Sequence, residues 1–416
     1  MKDLNHILEK VLFTLIVFFP LAFFLRSLIL NFIILLISLI FVIVSINKNY
    51  NFLKFNYNKV LLIFFSFPFI SQLFINMEIE KLIKSFFLLK FFLLFNATIY
   101  VFSHINKNYL KKLLNILIVL IILFILDLYL QYILGYNSLG FKPSFCEERT
   151  LKCFRYSGLF GAELVAGGFI SIIVSSIFIL TIILYKNKFL TIFPLILLIT
   201  VYITGERTAL VVMLAFSIIY YFKFFKFRVS YIVISVLIIG SFLSFAKESS
   251  KQRFINDTIN LVKNDNNLSL IDSIKTTPWG LHYGASILMV QKKPIFGNGY
   301  KSFRVNCKNY DYLNIRVKQR HSVCSSHPHN FHLEILVDTG LIGYLLYLIS
   351  IFFIFINYFS IKRIKEDKIM FIVFFFLLTI VFLPRPTGSI FSTFFGSMIW
   401  YFIGSMLGYV KLKSRF

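Results

Sequence analysis

The sequence predicts an all-α, polytopic membrane protein with about 12 transmembrane helices, and three observations predict it. Of 416 residues, 58% are hydrophobic and only 15% are charged, too little charge to cover a soluble domain of that length. Mean hydropathy is +0.81. The apolar residues come in runs of roughly 16–25, the length that crosses a hydrocarbon core about 30 Å thick. Lys and Arg gather in alternate short segments between the runs, as the positive-inside rule expects. In hydrocarbon the backbone must satisfy its own hydrogen bonds, so the runs are helices.

The runs fall near 11–25, 27–46, 60–75, 85–103, 113–134, 158–184, 189–204, 208–222, 229–246, 331–357, 369–383 and 389–410. The first passes straight into the second with no small-residue cleavage site, so a secretory signal peptide is not expected. With both termini placed in the cytoplasm, the cytoplasmic segments hold 20 Lys and Arg and the short outside segments hold 9. That asymmetry sets the expected orientation. It also accounts for the net charge of +25 without nucleic acid, because no basic stripe interleaved with aromatics occurs in a polar region.

Cysteine usage agrees with this orientation. Cys146, Cys153, Cys307 and Cys324 all fall in two outside segments, where an oxidising compartment lets disulfides persist. Cys146–Cys153 and Cys307–Cys324 are the local pairs, although four cysteines allow three connectivities. A zinc site is the rival, weakened by the absence of any CxxC pair.

Three regions follow from this layout: 1–246 with nine spans and a small outside loop at 135–157, a large outside loop at 247–330, and 331–416 with three spans. The large loop carries 13 Lys and Arg against 5 Asp and Glu. Loops of that length are usually functional. The stretch "YGASILMVQKK" from Tyr283 reads as a short helix, and Pro294, Gly297 and Gly299 in "KPIFGNGYKSFR" read as a tight turn.

Charged residues within or beside spans are costly and therefore informative. Lys90, Asp127, Glu163, Glu206, Arg207, Glu334 and Asp338 qualify; Lys90 and Asp127 are expected near the midplane, and most of the rest at outside ends. In "RYSGLFGAELVAGG", Arg155 and Glu163 bracket a turn into a helix, either aiming a guanidinium at an anion near a helix N-terminus or pairing to fix the loop. In "YITGERTALVVM", Glu206 and Arg207 occupy a short outside turn, where Arg207 can grip phosphate with Glu206 orienting it or simply reach the interface. In "CSSHPHNFHLEILVDTG", His327, His329 and His332 precede a span. A histidine there suits a general base, with Asn330 or Glu334 orienting the ring; Pro328 and Asn330 also suit a helix start. A His-x-His metal site lacks a completing ligand set, so no metal and no cofactor is expected. His282, Lys301, Arg304 and Arg253 are weaker candidates within the large loop.

Together these residues describe an outward-facing basic pocket for a diphosphate-linked substrate presented from the lipid. Arginines would stabilise the leaving diphosphate, and a histidine would take a proton from an incoming hydroxyl.

Four stretches, in order, carry a family resemblance: "RYSGLFGAELVAG", "TGERTAL", "HYGASILMVQKKPIFGNGYKSFRVNC" and "CSSHPHNFHLEILVDTGLIG". The chain resembles the bacterial O-antigen ligase and O-antigen polymerase superfamily. The resemblance implies an inner-membrane, metal-independent, inverting glycosyltransferase whose large periplasmic loop covers a cavity. It would move a glycan from undecaprenyl diphosphate to lipid A-core or a growing glycan. By position, the family's histidine before asparagine lands on His329, with His327 its near neighbour, and its essential arginines land on Arg155 and Arg207. Many members carry an arginine upstream of the loop helix; here the stretch reads "SIKTTPWGLHYG", leaving Lys275 or His282 to stand in. The rival classes are a polysaccharide transporter or flippase, which would show two related halves with midplane sites, and a non-catalytic scaffold, which needs no such constellation.

Overall fold

The computed structural model describes residues 2–75, 78–147, 152–185, 192–225, 247–254, 259, 270–309 and 324–415. Its principal helices are α1 (Lys2–Phe18, continued by a 3-10 segment Phe19–Phe24), α2 (Ser27–Asn47), α3 (Asn56–Ile75), α4 (Ile79–Phe86), α5 (Leu89–His104) and α6 (Lys107–Leu134). After a hairpin of β1 (Ser144–Glu147) and β2 (Lys152–Arg155) come α7 (Ala166–Tyr185), α8 (Phe193–Ile203), α9 (Arg207–Phe225), α10 (Pro278–Lys292), α11 (Phe331–Tyr358), α12 (Lys368–Phe382) and α13 (Thr393–Lys413). Among the described residues, nine helices are long and apolar enough to cross a membrane, and α8 and α12 are shorter apolar helices. Helices therefore stand at eleven of the twelve expected positions; the span expected at 229–246 lies outside the described residues. The chain is an all-α polytopic membrane protein carrying one small hairpin.

Surface patterning fits a lipid environment. Along α6 the exposed apolar side chains Ile116, Val119, Leu123, Leu126, Leu130 and Ile133 recur every three or four residues, one helical face that lipid can cover. By contrast α13 is buried along almost its whole length and packs on α5. Gly404 and Gly408 make that approach close. A Cβ on Gly404 would sit 2.9 Å from the Phe95 carbonyl oxygen, and one on Gly408 would sit 2.6 Å from the Phe102 Cβ. Between membrane helices such small-residue spacing lets dispersion and backbone proximity replace a hydrophobic driving force that lipid does not supply.

The loop turn predicted from Pro294, Gly297 and Gly299 docks into a broken helix. Gly340 (φ 66°, ψ −165°) interrupts α11, a backbone state open to glycine and costly for other residues. There the Leu341 N–H donates to the Pro294 carbonyl (2.7 Å), and the Asn298 N–H donates to the Val337 carbonyl (2.7 Å). Asp338 accepts from the Lys301 N–H (2.7 Å), the Ser302 N–H (3.2 Å) and the Ser302 hydroxyl (3.0 Å). Irregular backbone beside a span is tolerated when protein groups satisfy it in this way. The loop helix read from "YGASILMVQKK" is present as α10. Its Ala285 and Met289 pack with Phe303, Cys307 and Val337 in a small core of their own.

Several expectations need correction. The fourth run is reached through a turn at Phe87 and Leu88 that separates α4 from α5, the two together making one candidate span, Ile79–His104, with Lys90 in the first turn of α5. Asp127 sits in the last third of α6, where it accepts from the Ser138 N–H (2.8 Å) and the Asn137 amide (3.1 Å) of the following loop. The run expected from 158 opens as a short 3-10 turn and becomes helix only at Ala166, and the run expected from 389 becomes helix at Thr393. Cys307 and Cys324 form a disulfide, and Cys146 and Cys153 are direct register partners in the hairpin. The Arg253 side chain and much of the large loop lie outside the described residues.

Candidate functional site

Four segments far apart in sequence meet at the hairpin end of the bundle. Arg155 closes β2, and its position is set from α6. The buried Gln131 side chain accepts the Ser157 N–H (3.0 Å) and the Gly158 N–H (2.9 Å), while Asp127 secures the loop leading into the hairpin. Glu206 and Arg207 sit in the tight turn from α8 to α9. The Glu206 carboxylate accepts the Gly167 N–H (2.8 Å) and the Gly168 N–H (3.2 Å), filling donors that the first turn of α7 leaves open. Burial raises the Glu206 carboxyl to about 7, opposed by the Gly167 amide and by the Arg155 charge.

The histidine segment is held in an uncommon conformation. His329 has φ 56°, a left-handed state that costs a non-glycine residue about 1 kcal/mol or more and persists only where neighbours enforce it. Those neighbours belong to the loop between α12 and α13. The Thr387 N–H donates to the His329 carbonyl (2.7 Å), and the Thr387 hydroxyl accepts the Phe331 N–H (2.9 Å). Glu334 secures the same loop by accepting the Ser389 hydroxyl (2.5 Å) and the Ile390 N–H (2.8 Å). Asn330 caps α11, accepting the His332 and Leu333 N–H groups (3.0 and 3.2 Å). Neither Asn330 nor Glu334 orients the His329 ring, which corrects the expectation for both.

The two histidines differ in their bonding. His327 has the Ser326 hydroxyl at Nδ1 (2.8 Å) and the Thr387 carbonyl at Nε2 (3.2 Å). A carbonyl accepts only, so Nε2 carries the proton and Nδ1 is the acceptor. Burial, then the neighbouring His329, pushes this ring down to about 4. The His329 ring lies 4.3 Å from that of His327 and 5.3 Å from that of the buried His282. Among the described residues no hydrogen bond engages its nitrogens, and burial lowers its pKa below the ordinary histidine value. At neutral pH it is therefore an uncharged imidazole with acceptor capacity to spare.

Arg155, Glu206, Arg207, His327 and His329 line one cavity of about 390 Å³, together with Arg385 and Trp279. Apolar side chains such as Ile172, Phe394 and Met398 complete the wall. Three guanidinium groups around a single carboxylate suit an anion with several acceptor oxygens, since arginine forks match phosphate geometry. Among the described residues, no group of three or more His, Cys, Asp or Glu is arranged to hold a metal ion.

Other sequence candidates lie elsewhere. Glu163 is exposed and does not line the cavity. It is Glu206 that feels the Arg155 charge. Lys301 serves the docked turn through its backbone N–H, Arg304 is exposed, and His282 stacks behind His329. Lys275 is exposed and pairs with Asp272 (3.1 Å), so it does not replace a cavity arginine. His332 contacts the Tyr344 hydroxyl (3.4 Å) on the helix flank.

Sequence reading did not single out Arg385, Trp279 or Thr387. The available signal was "LPRPTG", a lone arginine between two prolines in a short loop at a membrane edge.

A search of curated proteins returns no match. A family model described as O-antigen ligase matches residues 192–348, which takes in Glu206, Arg207, His327 and His329 but neither Arg155 nor Arg385.

Proposed function

The chain belongs to the O-antigen ligase and O-antigen polymerase superfamily, and from that premise we propose that it moves a glycan from undecaprenyl diphosphate to lipid A-core or a related acceptor. Its activity is of the ligase or polymerase type, on lipid-linked glycan. The finer reading is an inverting, metal-independent transfer at the periplasmic face of the inner membrane, with both termini cytoplasmic and residues 247–330 over the cavity. The observation that carries it is the convergence of Arg155, Arg207 and His329 on one cavity at the end of the membrane bundle.

His329 takes the proton of the acceptor hydroxyl as its oxygen bonds to the anomeric carbon of the donor sugar. The bond from that carbon to the phosphate oxygen breaks, and its electron pair leaves with the diphosphate. Arg155 and Arg207 meet the charge that develops there. A single displacement inverts the anomeric centre. Glu206 keeps the turn bearing Arg207 tied to α7.

The test uses purified full-length protein in lipid nanodiscs with a lipid-linked donor and a core acceptor. Transfer is expected in EDTA at the untreated rate. Activity lost in EDTA and restored by one divalent cation would overturn the metal-independent reading. Gene deletion separates the two activities. Polymer accumulating on the carrier with uncapped core marks a ligase, whereas single repeat units on the core mark a polymerase and overturn the ligase reading.

A further inference from the structure

Arg385 is the one cavity arginine that lies outside both the family match and the motifs that carry the resemblance. It is 9% exposed. Its Nε and Nη2 are buried with no hydrogen-bond partner among the described residues, and no carboxylate pairs with it there. A buried charge left in this state is costly. Burial lowers the guanidinium to about 10, so it stays charged at neutral pH. Chains keep such a group where a ligand supplies the missing acceptors.

The loop holding Arg385 is built to be stiff. Pro384 and Pro386 flank it, fixing their own φ and restricting the residue between them to extended backbone. Two residues on, Thr387 grips the His329 carbonyl, the Phe331 N–H and the His327 ring. Beyond that, Ser389 and Ile390 are held by Glu334. One rigid loop thus sets both the guanidinium and the left-handed backbone of His329. The pieces fit a reacting centre in which the leaving group and the base keep a set separation.

We propose that Arg385 is a third cationic contact for the diphosphate of the lipid-linked donor, delivered from the α12–α13 loop and bonded through the Nε and Nη2 atoms that the described residues leave open. This rests on the glycan-transfer reading above and deepens it. The neutral variant loses charge-assisted hydrogen bonds to phosphate, so donor affinity falls roughly 10- to 100-fold.

The test compares full-length wild type, Arg385→Gln and Arg385→Lys in detergent, each with undecaprenyl diphosphate and with undecaprenyl monophosphate. Thermal unfolding is followed because a ligand that binds the native state raises Tm. The diphosphate is expected to raise the wild-type Tm. Arg385→Gln is expected to match or exceed the wild-type Tm without ligand, since an uncompensated buried charge has gone, while its diphosphate shift largely disappears. Arg385→Lys keeps the charge without the fork and should recover part of the shift. In transfer assays the donor KM should rise far more than kcat falls, and the pH profile should not move. A diphosphate shift retained in full by Arg385→Gln, whatever its ligand-free Tm, would make Arg385 a structural residue at most and overturn the proposal. Equal monophosphate and diphosphate shifts in wild type would overturn it too. If wild type shows no shift with the diphosphate, the glycan-transfer reading itself fails.

Discussion

The bundle has a cavity at each end, and the two treat charge differently. At the end opposite the hairpin, a space of about 420 Å³ is lined by Arg363, Glu366, Asp367, Lys411 and Lys413 with Tyr57 and Tyr358. There Asp367, Lys411 and Lys413 are met by the protein. Lys413 pairs with Asp367, Lys411 lies over the Phe55 and Tyr358 rings at 5.1 and 5.2 Å, and the two tyrosine hydroxyls bond each other at 3.0 Å. At the hairpin end, the cavity carboxylate Glu206 is engaged by two backbone amides, and among the described residues the Arg385 Nε and Nη2 and the His329 ring nitrogens have no hydrogen-bond partner. Similar volumes therefore imply different roles. Internally balanced charge reads as architecture, and imbalance held on rigid backbone reads as a site awaiting a ligand.

Substitutions at the two ends should separate these roles. The largest effect is expected from His329→Ala, which should lower transfer by about 10²–10⁴-fold while the protein remains in the membrane. His327→Ala should cost less, because that ring is committed to Ser326 and Thr387. Equal losses in the two variants, measured with purified lipid-linked donor, would erase the distinction between them. Next comes Arg207→Ala, expected to reduce kcat by about 10²–10³-fold through lost stabilisation of the leaving group. A change in donor KM alone would instead assign it to ground-state binding.

The pH profile is expected to be intermediate in size and sharper in what it says. A general base works uncharged, so activity should fall as pH drops through the lowered His329 pKa, with an inflection below the ordinary value of 6.5. Glu206 titrates nearby, at about 7; Glu206→Gln removes that component and isolates the histidine. A profile that rises on acidification is incompatible with His329 as base. The smallest effect should come from Lys413→Met at the opposite end. A partly exposed pair contributes less than about 1 kcal/mol, so transfer should be unchanged and Tm nearly so. A large loss of transfer there would mean that the two ends are coupled.

Much of the site was legible before any coordinates. Arg155, Glu206, Arg207, His327 and His329 stood out because polar groups at the rim of apolar runs are expensive and few. What could not be read was partnership. Glu163 precedes a helix just as Glu206 does, yet only Glu206 reaches the amides of α7. Asn330 and Glu334 lie beside His329 in sequence, yet one caps the helix and the other holds a loop some fifty residues away. Arg385 escaped notice because its burial is not a property of "LPRPTG" but of the tertiary packing that makes it part of the cavity wall.

The division follows from the range of the forces. Sequence alone determined the membrane class, most of the helices and the kinds of chemistry gathered at one end, since hydropathy runs and charge asymmetry act locally against the bilayer. Tertiary structure decided which carboxylate meets which donor, where α11 breaks to admit the glycine turn, and which guanidinium is left open. Those outcomes depend on contacts between residues up to a few hundred positions apart, where packing geometry rather than residue type selects the partner.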